Sequence, residues 1–314
     1  MKKIIILLIL LLLVFGIRHT YVQDTLASNL PINLKLPDAT VLESTDKIIW
    51  SYWSGSKMPL SVKMAIYTWK KYNPDFYIVV LKENTVSRYV DSSIFPTRYS
   101  KLKQAHKADV IRLAVLEKYG GYWCDATYYL GKSLEARWEP KEYDIGGYYQ
   151  DIFTTDLNRP VLENWFLAAP KNSALVTAWR KEFYRGVDYK NPKVYIRELE
   201  RTVDLQKIRL DLREYLMMHC AFLKVIQEQK YQLKVFSALD NGPMSYLHKC
   251  KWNPVLAIIY LLTTTETSVP DAIKLRGGER NRLEKCWFLY RTDSIIDRCC
   301  YNFPRKSATY YGKK

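Results

Sequence analysis

The chain has 314 residues, 48% of them hydrophobic and 14% aromatic, enough to bury a sizeable core in one large domain or two small ones. Lys and Arg number 48 against 32 Asp and Glu, a formal charge of +16 that favours anionic company: phosphates, acidic polymers or membrane headgroups. The basic residues are scattered from end to end, with no compact arm and no aromatic-interleaved Lys/Arg block, so nucleic acid is not an expected partner. None of the six cysteines forms a CxxC pair, which argues against a zinc site, and the even count permits disulfides without showing them. Cys124, inside an apolar run, reads as a small core residue.

The amino terminus reads "MKKIIILLILLLLVFGIRH". Two lysines precede an apolar run from Ile4 to Ile17, which as a helix measures about 21 Å against about 30 Å of bilayer hydrocarbon. The run is short for a span, and its length also suits a signal peptide. Arg18 and His19 follow at once, where a cleavable signal wants small neutral residues; the nearest candidates, around Leu26-Ala27-Ser28, lie well downstream. Residues 1–19 are therefore expected to form an uncleaved membrane anchor whose Lys2, Lys3 and Arg18 snorkel toward the headgroups, with a signal peptide or a peripheral membrane segment as the alternatives. Residues 20–45 carry Pro31 and Pro37 and no clean periodicity, and read as a stem.

From Asp46 the pattern changes. "KIIWSYW" is β-branched and aromatic and reads as a buried strand. "LSVKMAIYTWKKYN" places Val62, Ile66 and Trp69 at helical spacing, Pro74 ends that helix, and "FYIVVL" is a second strand. "HKADVIRLAVLEKYGG" predicts an amphipathic helix stopped by Gly120 and Gly121, and "YWCDATYYL" the strand after it. "DIGGYY" and "NWFLAAP" are further strands, and helices are expected over 173–185, around 195–205 and over 212–231. Strands alternating with helices predict an α/β domain with a mostly parallel, Rossmann-type sheet flanked by helices, in which ligands sit at the carboxyl ends of the strands.

Asp125, among apolar and aromatic neighbours, needs a partner, because a buried unpaired carboxylate is costly. It either caps a turn or pairs with a Lys or Arg, or else it offers oxygen to a hard cation such as Mg²⁺ or Mn²⁺ held together with substrate phosphates. Asp109 and Arg112 share a helix face at i, i+3. They make either an ordinary surface ion pair or a pair at the mouth of the sheet that grips sugar hydroxyls and phosphate oxygens. Trp50 and Trp53 are candidates for the core, and Trp53, at a strand end before Ser54-Gly55, also offers a flat face to a base. His219 reads as a core histidine or as a residue approaching a diphosphate. His248, in "NGPMSYLHKC", falls in a segment that could close over a ligand, and His106 reads as a helix-start residue. Arg276, Arg280 and Arg282 read as a solvated basic face with phosphate contact as the alternative.

The ordered set "KIIWSYWSG", "WKKYNPDF" and "KADVIRLAVLEKYGGYWCDAT" resembles the capsular polysaccharide synthesis family of glycosyltransferases, related to the DxD sugar transferases of GT-A-like fold. The likeness is good over residues 47–130, and "LREYLMMHCAFLKVI" and "IKLRGGERNRLE" extend it more loosely. It implies that residues 46–314 are a catalytic domain moving a sugar from a nucleotide-sugar donor to a glycan or glycolipid hydroxyl, with retention at the anomeric carbon. It implies that Asp125 is the first acid of the metal and diphosphate motif, with Mn²⁺ or Mg²⁺ assisting. Asp109 and Arg112 are then donor-sugar contacts, and Trp53 stacks on the nucleotide base. The second acid of the wider motif is missing: the chain reads Asp125-Ala126-Thr127, and Thr127 offers only a hydroxyl. That gap motivates the alternative of a nucleotide-sugar or carbohydrate-binding protein that has lost turnover. A phosphoryl transferase or hydrolase is less favoured, because no GK[ST] loop is present. Lys2 and Lys3 favour a cytoplasmic amino terminus. The domain would then lie across the membrane, which suits a Golgi-type lumen supplied with nucleotide sugars; in a bacterial envelope, where donors are cytosolic, the domain would instead stay inside, and the sequence leaves both settings open.

Overall fold

The computed structural model describes residues 2–28, 30, 34–265 and 268–301. In chain order its elements are α1 (Lys2–Ser28), α2 (Ala39–Leu42), β1 (Ile48–Tyr52), α3 (Leu60–Tyr72), β2 (Tyr77–Leu81), α4 (Gln104–Tyr119), β3 (Gly121–Cys124), β4 (Tyr128–Leu130), β5 (Ile145–Tyr149) and β6 (Leu162–Ala169). They continue with α5 (Ala174–Asp188), α6 (Pro192–Leu199), α7 (Met217–Glu228), β7 (Leu233–Ser237), α8 (Ser245–Lys249), α9 (Pro254–Thr263), β8 (Ala272–Lys274), α10 (Gly277–Lys285) and α11 (Ile295–Tyr301).

Six strands form one sheet in the order β2-β1-β3-β6-β5-β7. β1 runs parallel to β2 and β3, and β5 runs parallel to β7. β1 is buried along its whole length because both sheet faces are covered. Its side chains alternate between two cores: Ile49 packs with α3 and α9 on one face, and Ile48 and Trp50 pack with α4, α5 and α7 on the other. The mixed α/β architecture with a mostly parallel sheet is as the sequence predicts. Its exception is β6, antiparallel to both β3 and β5. β5 and β6 are joined by an irregular stretch, residues 150–161, and without a crossover helix the chain returns in the opposite sense. That reversal brings the start of β6 to the carboxyl ends of β1 and β3.

Both glycines of "KYGGYW" have positive φ, 69° at Gly120 and 85° at Gly121. A Cβ at Gly120 would lie 2.4 Å from the Lys171 nitrogen, and one at Gly121 would lie 2.7 Å from the Ile48 oxygen. The pair lets the chain leave α4 and enter β3 hard against β1, which no L side chain permits. Cys124 is buried in β3 with a free thiol, as its surroundings suggested.

Four expectations need correction. α4 is not amphipathic: every residue from Asp109 to Leu116 is buried, because α5 covers the face the sheet leaves open. The helix expected over 195–205 runs Pro192–Leu199, started by the Asn191 cap with proline in the first turn. The one expected over 212–231 is Met217–Glu228, preceded by a short 3₁₀ turn at Leu210–Leu212. The expected stem is partly helical: α1 continues to Ser28, since nothing between Thr20 and Ser28 breaks a helix. Its second half docks on the domain, with Leu26 buried, Arg18 donating to the Phe288 and Tyr290 carbonyls at 2.7 and 3.2 Å, and Phe15 against Phe288. The side chains of residues 1–9 of the expected anchor lie outside the described residues. Among those described, no helix is long and apolar enough to cross a membrane.

Candidate functional site

Asp125 sits one residue past β3, where a parallel sheet presents its carboxyl ends. Its N–H donates to the Trp165 carbonyl and its own carbonyl accepts from the Tyr128 N–H, both at 2.8 Å, so the turn is fixed from two sides. Every oxygen of its carboxylate is engaged. Oδ1 accepts from Arg112 Nη2 at 3.1 Å and from Trp123 Nε1 at 3.0 Å, and Oδ2 accepts from Lys274 Nζ at 2.7 Å. Burial by itself would raise this carboxyl, but Lys274 and Arg112 outweigh it and hold the group below its ordinary value.

Asp109 and Arg112 are not a surface pair. They are 5% and 3% exposed, and the guanidinium, lying over the Trp123 ring, reaches Asp109 through Nη1 and Asp125 through Nη2. Asn164, from the reversed strand β6, donates to the same Asp109 oxygen, Oδ1, at 2.9 Å. Neither bond uses Oδ2. Burial pushes the Asp109 carboxyl up more than the Arg112 charge pulls it down.

These groups line a cleft of about 660 Å³, within the range of small-molecule sites. Arg112 Nε, Trp165 Nε1 and His219 Nδ1 are buried in its walls and have no hydrogen-bond partner among the described residues. Buried polar atoms are almost always paired, so three such donors or acceptors around one opening fit a site completed by a polar ligand. His219 is buried in α7, lines the cleft and places Nε2 3.8 Å from Glu163 Oε2.

Trp53 lines the cleft at the end of β1 with Arg280 against its ring, whereas Trp50 is wholly buried in the core. Thr127 lines it too, donating to the Leu275 carbonyl at 2.7 Å and accepting from Lys274 Nζ at 3.1 Å. His248 does not. Helix α8 turns Tyr246 and Leu247 inward and leaves His248 exposed, so the lining residues on either side are Met244 and Trp252. His106 is near the start of α4, its ring nitrogen 3.3 Å from the Tyr215 carbonyl. Of the late arginines, Arg276 and Arg280 line the cleft and Arg282 does not.

Lys274, Glu163 and Asn164 carry weight here that the sequence reading did not assign. The signal that singled out Asp125, one charge inside an apolar run, was present for Lys274 in "AIKL" and for Glu163 in "VLENWF". What placed them at the site was topology: β8 pairs with β4 so that Lys274 stands opposite Tyr128, and β6 runs backward.

The expected Mn²⁺ or Mg²⁺ does not fit this donor set. Hard cations are held by carboxylate oxygens together with substrate phosphates, and here both oxygens of Asp125 are already capped by cationic or N–H donors. The hydroxyl of Thr127 is committed to Leu275 and Lys274. Among the described residues no cluster of three or more His, Cys, Asp or Glu could hold a metal.

Comparison with known proteins gives three findings. The family model for "Capsular polysaccharide synthesis protein" matches residues 16–252. O-glycosyltransferase braB of Annulohypoxylon truncatum is 30% identical over 158 residues, 45% of this chain and 37% of its own length. O-glycosyltransferase PaGT of Phomopsis amygdali is 25% identical over 161 residues, 44% and 38% of the two chains, so this chain spans about two-fifths of the length of the curated relatives it matches. Among solved structures, the PaToxG glycosyltransferase aligns at 16% identity over 90% of this chain and 97% of its own, with a TM-score of 0.36. The galactosyltransferase LgtC, in complex with donor and acceptor sugar analogs, aligns at 9% identity over 76% and 95%, with a TM-score of 0.37.

Proposed function

The chain belongs to the capsular polysaccharide synthesis protein family, and from that premise we propose that it is a glycosyltransferase moving a sugar from a nucleotide-sugar donor to a hydroxyl of a glycan or glycolipid. The observation that carries the reading is the cleft at the strand ends. It joins a buried acid and arginine, Asp109 and Arg112, to the ionised Asp125, with an indole at the mouth and Arg276 and Arg280 on the same wall. The names of the curated relatives support it.

In this reading the base stacks on Trp53, the diphosphate lies along Arg276 and Arg280, and the sugar hydroxyls bond to Asp109 Oδ2. The bond from the anomeric carbon to the diphosphate oxygen breaks, its electron pair leaving with the diphosphate. The acceptor oxygen bonds to the same carbon, and its proton passes to the released diphosphate or to solvent. No step uses a covalent intermediate on the protein. Rate comes from alignment of the two substrates and from fixed charge facing the leaving group. Retention at the anomeric carbon is read from the coupling constant of the product by NMR. The test of the whole reading is a panel of nucleotide sugars offered to the full chain, scored for released nucleoside diphosphate. Release of inorganic phosphate, or binding with no release, would refute it.

Base stacking on an aromatic ring contributes about 1–3 kcal/mol, so Trp53→Ala is expected to raise the donor KM about ten- to a hundredfold and Trp53→Phe far less. An unchanged KM removes Trp53 from the donor site. Membrane attachment through the N-terminal segment is part of the same proposal. Leu12, Val14 and Ile17 stand exposed along α1, an apolar surface that favours lipid. The full chain is expected to stay in the pellet on alkaline carbonate extraction of cell membranes, and recovery in the supernatant removes the attachment.

A further inference from the structure

We propose that Lys274 performs the task the family resemblance gives to a divalent cation: its ammonium binds the donor's diphosphate and takes up negative charge as that group leaves, without a metal. The inference rests on the nucleotide-sugar reading and adds the identity of the charge that serves it.

Lys274 Nζ stands where a cation on Asp125 would stand, 2.7 Å from Oδ2 and 3.1 Å from Thr127 Oγ1. Thr127 occupies the place of the motif's missing second acid. Where the wider motif offers a cation a second carboxylate, this chain offers a hydroxyl, which an ammonium can use as an acceptor. An ammonium has three N–H donors. Among the described residues two go to Asp125 and Thr127, and Lys274 lines the cleft, so the third is available to a phosphate oxygen.

The side chain is 8% exposed and its backbone is fixed along its length. β8 pairs with β4, the Lys274 N–H donates to the Pro243 carbonyl at 2.9 Å, and its carbonyl accepts from Tyr246 Oη at 2.8 Å. On the other side of Asp125, Arg112 fills the remaining oxygen. A carboxylate held between two fixed cations orients charge toward a diphosphate and leaves no free oxygen on Asp125 for a metal. A buried lysine with no such task would be a costly way to close a turn that a neutral residue could close.

The test uses the full chain in detergent and four probes, the diphosphates of uridine, guanosine, adenosine and cytidine, with binding measured by calorimetry in EDTA and again in Mn²⁺. The tightest probe is expected to bind equally in both buffers, and Lys274→Met to weaken it about ten- to a hundredfold, the loss of one charge-assisted hydrogen bond. In parallel, the electron paramagnetic resonance signal of free Mn²⁺ is expected to fall no further with protein and probe together than with probe alone. These two wild-type measurements decide the part of the inference that excludes a metal even if Lys274→Met does not fold, and unchanged affinity in a folded Lys274→Met overturns the role of Lys274. Binding that vanishes in EDTA, or Mn²⁺ captured by the protein and probe, overturns the inference while leaving the nucleotide-sugar reading intact. No binding of any probe in either buffer overturns that reading and the inference with it.

Discussion

Asp125→Asn is expected to lower turnover of the nucleotide sugar by about 10²–10³-fold, the cost of removing one fixed charge from a preorganised site. The amide is nearly isosteric, so the effect is chemical. Oδ1 receives two N–H donors and Oδ2 receives the Lys274 ammonium, and whichever way the amide lies its own NH₂ meets a donor. Lys274 or Arg112 is then released from its position. The loss should fall on kcat and also on the donor KM, because freeing Lys274 loosens the diphosphate while the base contact remains. The folded state should lose about 1–3 kcal/mol, the penalty for leaving one charged donor unmet. Steady-state kinetics and a urea titration of the same preparation measure both. Turnover equal to wild type would show that the carboxylate at 125 has no part in the reaction.

Arg112→Ala should be the most destabilising substitution at the site. It leaves Asp109 and Asp125 facing each other in a largely buried space, and loss of one partner from a buried ionic group costs about 3–5 kcal/mol. The pH dependence has a definite sign. In the wild type the Asp125 carboxyl is held below its ordinary value, so its contribution is present at neutral pH and is lost only as the medium becomes strongly acidic. Asp109, already raised by burial, rises further without the guanidinium. A carboxyl with a raised folded value destabilises when ionised and stops doing so as pH falls through that value. The deficit of Arg112→Ala relative to wild type should therefore shrink between pH 7 and about pH 5. Urea midpoints at the two pH values test this, and a deficit that is small or constant with pH would show that Arg112 does not hold the two acids together.

The parts of the fold set by local chemistry were legible in the chain. β1, α3, β2, α4 and β3 follow from β-branched runs, helical spacing and the Gly120-Gly121 stop, each of which acts within a few residues. Asp125 was legible for the same reason, since a carboxylate in an apolar run advertises a partner. The partner was not legible. Lys274 reaches it through a strand pairing across 149 positions, and no local pattern encodes that distance. Asn164 and Glu163 depend on β6 running backward, a consequence of a loop that contains no crossover helix. Asp109 and Arg112 were open between a solvated pair and a buried one, because only the packing of α5 decides which face of α4 is covered. His248 read as part of a segment that could close over a ligand, and that segment is instead helix α8, whose Tyr246 and Leu247 take the inward positions.

The ladder between β4 and β8 also bears on the order in which the protein is made. During synthesis the strands of the main sheet and Asp125 leave the ribosome long before Lys274, Arg276 and Arg280, all of which lie beyond the family segment ending at residue 252. Until then the aspartate has Arg112 and Trp123 to answer it, and the Arg276 and Arg280 side of the cleft is absent. A nascent chain that has not reached Lys274 can therefore carry the central scaffold while one wall of the cleft is still missing.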